Sequence, residues 1–210
     1  MLYAHLFHVT VNDEVVYFDD VCFENEAAWT ALHACCMSFH TAQAGLEIIA
    51  EMQRRGASLD TKTLAGPGTF NKGWTALHMA CAYNVEPLVE KLLECGADCN
   101  TMNCFGYSPL LEACHRGYLP VVEMLIKAGA DLSHVPPDHL SNQSPFAAAP
   151  AHSALGESAR CGFSKIVTAL LRATQGSAIN VSNSLGWTPL HEAVFYNRKD
   201  VVQALLEAGM

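Results

Sequence analysis

An all-α repeat solenoid of stacked helix–turn–helix units is the fold class this sequence predicts, and three observations predict it. The pentapeptide Trp29-Thr-Ala-Leu-His33 recurs as Trp74-Thr-Ala-Leu-His78 and Trp187-Thr-Pro-Leu-His191, with a weaker copy at Tyr107-Ser-Pro-Leu-Leu111 and a decayed one at Ser153-Ala-Leu-Gly-Glu157. The leading Thr or Ser stands at 30, 75, 108, 153 and 188, so the steps are 45, 33, 45 and 35: a period of 33 with two steps lengthened by 12. Each copy is followed by a second apolar stretch and then by a glycine turn such as Gly96-Ala97-Asp98 or Gly129-Ala130-Asp131.

The N-terminal segment reads differently from the repeats. Leu6 to Val11 and Glu14 to Phe18 are rich in β-branched and aromatic residues, with Asn12-Asp13 between them. That pattern predicts a β-hairpin, placed as a cap (1–27) over the apolar side of the first repeat.

Within each repeat the first helix starts at the Thr or Ser, whose side-chain oxygen accepts from an N–H that the helix leaves unpaired. Proline at 109 and 189 sits in the first turn, where no N–H is needed. Leu32, Leu77, Leu110, Leu155 and Leu190 point to the core. Ala80, Ala113, Ala159 and Ala193 are small enough to let paired helices approach. The second helix carries sets such as Leu88-Val89 with Leu92-Leu93, Val121-Val122 with Leu125-Ile126, and Val201-Val202 with Leu205-Leu206. The i, i+1, i+4, i+5 spacing puts each set on one helix face. The glycine that follows suits a left-handed residue closing the helix.

Two insertions separate the copies. Residues 58–73, with Pro67 and several glycines, form a lengthened finger, and residues 132–152 carry Pro136-Pro137, Pro145 and Pro150. Long loops of this kind are binding elements or tolerated insertions. Repeat one also has five extra residues between its helices, near His40–Gly45. The repeats then run at about 28–60, 71–103, 104–133, 150–182 and 184–210. The last helix, Val201 to Met210, has the pattern of an internal helix rather than the polar outer face of a terminal one, which leads us to expect a fragment of a longer protein.

Thr-Pro-Leu-His-x-Ala, the Gly-Ala-Asp turn and the 33-residue step together resemble the ankyrin repeat over residues 28–210. The resemblance implies a β-turn finger plus two antiparallel helices per unit. It implies that His33, His78 and His191 bridge the Thr hydroxyl and a neighbouring backbone, and that Leu111 and Gly156 leave the third and fourth turns less tied down. It also implies a protein-interaction module (scaffold, adaptor or substrate receptor) that binds another protein or peptide on finger tips and on the exposed side of the first helices. The matching positions include Lys72, Trp74, Ala82 and Tyr83, then Cys104, Phe105, Tyr107, His115, Arg116 and Arg160, and finally Leu185, Trp187, Phe195 and Tyr196. Tyr, Trp and Arg are the usual anchors of interfaces. A second reading is a regulatory domain of a larger enzyme or channel. Leu92 with Asp98-Cys99-Asn100 resembles the ankyrin sequence whose Asn is hydroxylated, which marks Asn100 as a modification candidate.

Composition bounds the remaining classes. The chain has 210 residues, is 50% hydrophobic and carries a net charge of −9. That balance disfavours nucleic acid. Its nine cysteines are too sparse for a disulfide scaffold and read as reduced thiols in the cytoplasm or nucleus. No apolar run reaches the length of a membrane span, and the first residues lack the form of a secretory signal. Cys95, Cys99, Cys104 and Cys114-His115 are close together but not at the short paired spacing of a zinc module. Cys36, Cys81 and Cys114 fall in the small-residue slot of the first helix. Glu112, Glu157 and Glu192 recur at repeat spacing and read as a solvated face. No phosphate loop, nucleophile elbow or His-Glu-x-x-His is present. The expectation is therefore no catalytic residue, no cofactor and no metal.

Overall fold

A computed structural model describes residues 7–11, 14–18, 30–63, 72–137, 152–178, 180–183 and 185–209. These form two compact units, 1–103 and 104–210. The tips of both insertions, 64–71 and 138–151, and the hairpin turn Asn12-Asp13 lie outside the described residues.

The first unit opens with an antiparallel pair, β1 (Phe7–Val11) and β2 (Glu14–Phe18). Its register runs from Phe7 opposite Phe18 to Val11 opposite Glu14, so two residues connect the strands. β1 lies beside the first helix. Then follow α1 (Ala31–Cys35), a 3-10 turn at Phe39–Thr41, α2 (Ala42–Arg55), α3 (Ala76–Ala82) and α4 (Glu86–Glu94). α1 packs against α2 and α3 against α4, while α2 lies beside α4 and α1 beside α3. The five extra residues expected in repeat one are absorbed by the 3-10 turn and by α2, which has 14 residues where α4 has 9.

The second unit contains α5 (Pro109–Arg116), α6 (Leu119–Lys127), α7 (Ala154–Cys161), α8 (Ser164–Ala173), α9 (Pro189–Phe195) and α10 (Lys199–Glu207). α5, α7 and α9 form an inner row, and α6, α8 and α10 an outer row, each helix beside its equivalent in the next pair. Both units are therefore stacks of helical hairpins with short fingers, an all-α solenoid arrangement within each.

The repeated motif explains the local geometry. Thr30 Oγ1 and the Thr30 N–H both meet His33 Nδ1, at 2.8 and 3.1 Å, and His33 Nε2 lies 3.1 Å from the Thr61 carbonyl. A carbonyl only accepts, so the ring proton is on Nε2 and Nδ1 is the acceptor. One neutral histidine thus fastens the helix start to the following finger. Burial holds it neutral, pushing its pKa down to about 4. Thr75 with His78 and Thr188 with His191 repeat the box. Where Leu111 and Gly156 replace the histidine, Ser108 and Ser153 still accept from the third backbone N–H, at 3.3 and 3.2 Å. Those starts keep half of the box.

Leu32, Leu77, Leu110 and Leu155 are buried as expected, as are Ala80, Ala113, Ala159 and Ala193. Leu190 is only half-buried. The small-residue slot shows the same break: Cys36, Cys81, Cys114 and Ala159 are fully buried, whereas Val194 is 61% exposed. On the earlier inner helices this side is enclosed. Among the described residues, none covers that side of α9.

Candidate partner-binding face

Apart from α9, the inner helices are enclosed over most of their surface. All seven residues of α3 are buried; within the first unit α4 lies behind it and α1 alongside. This overturns the reading of Glu112, Glu157 and Glu192 as a solvated face. They are 2%, 5% and 2% exposed and stand at the same place on α5, α7 and α9. Recurrence at repeat spacing in helices with so few polar neighbours was the available signal.

Each carboxylate has a different environment. Glu157 Oε1 lies 2.6 Å from His115 Nδ1 and 2.6 Å from Arg160 Nη2, and the Cys161 thiol donates to it at 3.6 Å. Burial pushes this carboxyl up, but the His115 and Arg160 contacts outweigh it and hold it at about 2. Glu112 has no such partners. Its Oε2 is buried without a hydrogen bond, and the nearest cation, Arg116 Nε, is 3.9 Å away. Burial raises its carboxyl to about 7. Glu192 Oε1 accepts from Asn183 Nδ2 at 2.8 Å and lies 3.4 Å from His152 Nδ1. Burial raises this carboxyl as well, and burial lowers His152 to about 4. His152 and Asn183 sit in finger segments and carried no sequence signal.

The residues expected to touch a partner divide between the units. In the first unit Lys72 and Tyr83 are exposed, with Tyr83 at the C-cap of α3. Trp74 is 3% exposed and Ala82 is buried, so neither can meet a partner. Trp74 instead packs at the base of the 58–73 finger, where its carbonyl accepts from Thr63 and its N–H donates to Thr63 Oγ1. Asn100 is exposed on a finger ordered by Asp98, whose carboxylate accepts from the Asn100 N–H at 2.8 Å and from the Thr101 hydroxyl at 3.0 Å.

In the second unit Cys104 and Arg116 are exposed, and Phe105, Tyr107, His115, Arg160 and Trp187 are half-buried. Aromatic contacts run along the end of α9. Trp187 meets Phe195 edge-on with centroids 5.0 Å apart, and Phe195 meets Tyr196 in the same manner at 5.1 Å. The Arg160 guanidinium lies 5.9 Å from the Tyr196 ring centroid. Phe195 is 67% exposed. Beside it an apolar groove of about 360 Å³ is lined by Trp187, Leu190, His191, Val194 and Phe195. Such a surface binds by apolar contact and planar stacking.

The eight described cysteines are free thiols. No described helix is long and apolar enough to cross a membrane. A family model described as ankyrin repeats (3 copies) matches residues 11–103, 38–135 and 138–210. No curated protein matches the chain.

Proposed function

This chain belongs to the ankyrin repeat family, whose members generally serve protein–protein interaction, and from that premise we propose that it is a non-catalytic module that captures a protein or peptide segment. The observation that carries the reading is the run Trp187–Phe195–Tyr196 with Arg160 stacked over its end. Exposed aromatic and arginine side chains in contact with one another are costly to leave in water and are the side chains that dominate interface energies. Phe105, Tyr107, His115 and Arg116 extend this surface within the second unit. In the first unit, taken by itself, Lys72 and Tyr83 are the exposed candidates. The free thiols support a reducing compartment, cytoplasm or nucleus. Asn100, exposed on its finger, stays the candidate for hydroxylation.

The test is affinity capture with wild-type chain against Tyr83→Ala, Arg116→Glu and Tyr196→Ala, each checked for an unchanged circular dichroism spectrum. A captured protein identified by mass spectrometry is then titrated directly. An anchor residue is expected to cost about 2 kcal/mol, roughly 30-fold in Kd. Equal capture by all three variants overturns the choice of face.

A further inference from the structure

We propose that His115, Glu157 and Cys161 form a zinc site at the C-terminal ends of α5 and α7. Glu157 and Cys161 are four residues apart on α7 and so share one face, and α5 delivers His115 to the same place. One ligating atom from each of the three residues lies within 4.8 Å of the other two. At ordinary bond lengths the ligand atoms around one Zn²⁺ stand roughly 3.3–3.8 Å apart. Side-chain shifts on the order of 1 Å therefore close the triad on an ion. His115 and Cys161 are half-buried while Glu157 is buried, so the carboxylate lies at the bottom and the other two ligands at the mouth.

The donor set selects the metal. One imidazole nitrogen, one carboxylate oxygen and one thiol sulfur suit Zn²⁺, whereas Mg²⁺ and Ca²⁺ require oxygen ligands. Three protein ligands leave a fourth position for water or for a partner's side chain. Binding displaces the Cys161 thiol proton, which passes to solvent as sulfur takes up the metal bond, so uptake strengthens with rising pH.

The structure also identifies the competitor. Arg160 Nη2 already lies 2.6 Å from Glu157 Oε1. This guanidinium, which also donates from Nε to Glu157 Oε2 at 3.1 Å, must leave before the metal enters. Metal uptake and the position of Arg160 are therefore coupled, on the surface assigned above to partner binding. The site itself does not depend on that assignment.

The experiment is titration of the reduced full chain with Co²⁺, read by the thiolate charge-transfer and visible ligand-field bands, and with Zn²⁺ by calorimetry. One equivalent is expected to bind. His115→Ala and Cys161→Ser should weaken binding by about tenfold or more, Arg160→Gln should tighten it, and Cys104→Ala, at an exposed thiol outside the triad, should leave it unchanged. Thermal unfolding of each metal-free variant identifies any that fails to fold, and Arg160→Gln gives an independent gain-of-affinity readout. No binding by the wild type, binding that survives in both ligand variants, or an Arg160→Gln affinity equal to wild type would each overturn the proposal.

Discussion

Glu112 and Glu157 stand at the same motif position, each four residues after a capping serine, yet their carboxyls are driven in opposite directions: Glu112 to about 7 and Glu157 to about 2. Burial acts on both. The difference is that two donors, His115 and Arg160, contact Glu157 at 2.6 Å, whereas Glu112 has Arg116 at 3.9 Å and weaker, opposed influences from His115 and Glu157. Between pH 4.5 and 7 the folded chain holds a proton on Glu112 that the unfolded chain has released. Stability from this group is therefore complete below 4.5 and is lost as pH rises through 7. Glu112→Gln removes that slope. In urea unfolding at pH 4 and pH 8, the variant is expected to gain on the wild type by up to about 3 kcal/mol. An unchanged difference between the two pH values rules out a raised Glu112.

The Thr–His box should matter in proportion to its burial. Thr75 and His78 are fully buried, while Thr188 and His191 share the same 2.9 Å contact near the surface. Truncating a capping Thr costs about 0.5–2 kcal/mol. Thr75→Ala is expected at or above the top of that range, because its loss leaves a buried imidazole nitrogen with one donor fewer. Thr188→Ala is expected near the bottom. Equal losses in denaturant unfolding would contradict the ranking.

The fold was legible because the stack repeats one local solution. Capping Thr, core Leu, small residue and closing Gly recur at one period, and each reports a local requirement. The candidate site was less legible for two reasons. Trp74 has the residue type of an anchor and sits on a finger, but it is buried at the finger's base, where its backbone pairs with Thr63. Glu157 has the residue type of a solvated face, but its neighbours come from 42 residues earlier and three later. Spacing within one helix does not show that convergence. Leu190 and Val194 match the core pattern, but their burial depends on what lies against α9, which the motif does not encode.

Two glycines separate backbone strain from crowding. Gly117 and Gly129 have φ of +83° and +86°, and both suffer when a Cβ is added. A left-handed conformation costs an ordinary residue about 1–2 kcal/mol. At Gly129 the new methyl meets open space, whereas at Gly117 it would lie 2.6 Å from the Phe163 ring. Gly129→Ala is expected to lose only the backbone cost. Gly117→Ala should lose about 1–3 kcal/mol more, and Gly117→Ala with Phe163→Leu should recover part of it. If the two single variants lose the same stability, Phe163 does not pack as described.

His152 should set the acid limit of the second unit. It is buried against Glu192 with Nε2 unpartnered, and burial holds its pKa at about 4. The unfolded chain takes up a proton near pH 6.5 that the folded chain refuses until about 4. Stability is therefore complete above 6.5 and falls as pH drops through that window, opposite in sign to Glu112. His33 adds a second loss of the same kind in the first unit. His152→Gln keeps a polar side chain beside Glu192 without the titration. Relative to wild type it is expected to lose stability at pH 7.5 and to recover about 1–3 kcal/mol of that difference by pH 4.5. The measurement is urea unfolding at both pH values, and a difference that does not narrow on acidification means that His152 is already charged in the folded chain.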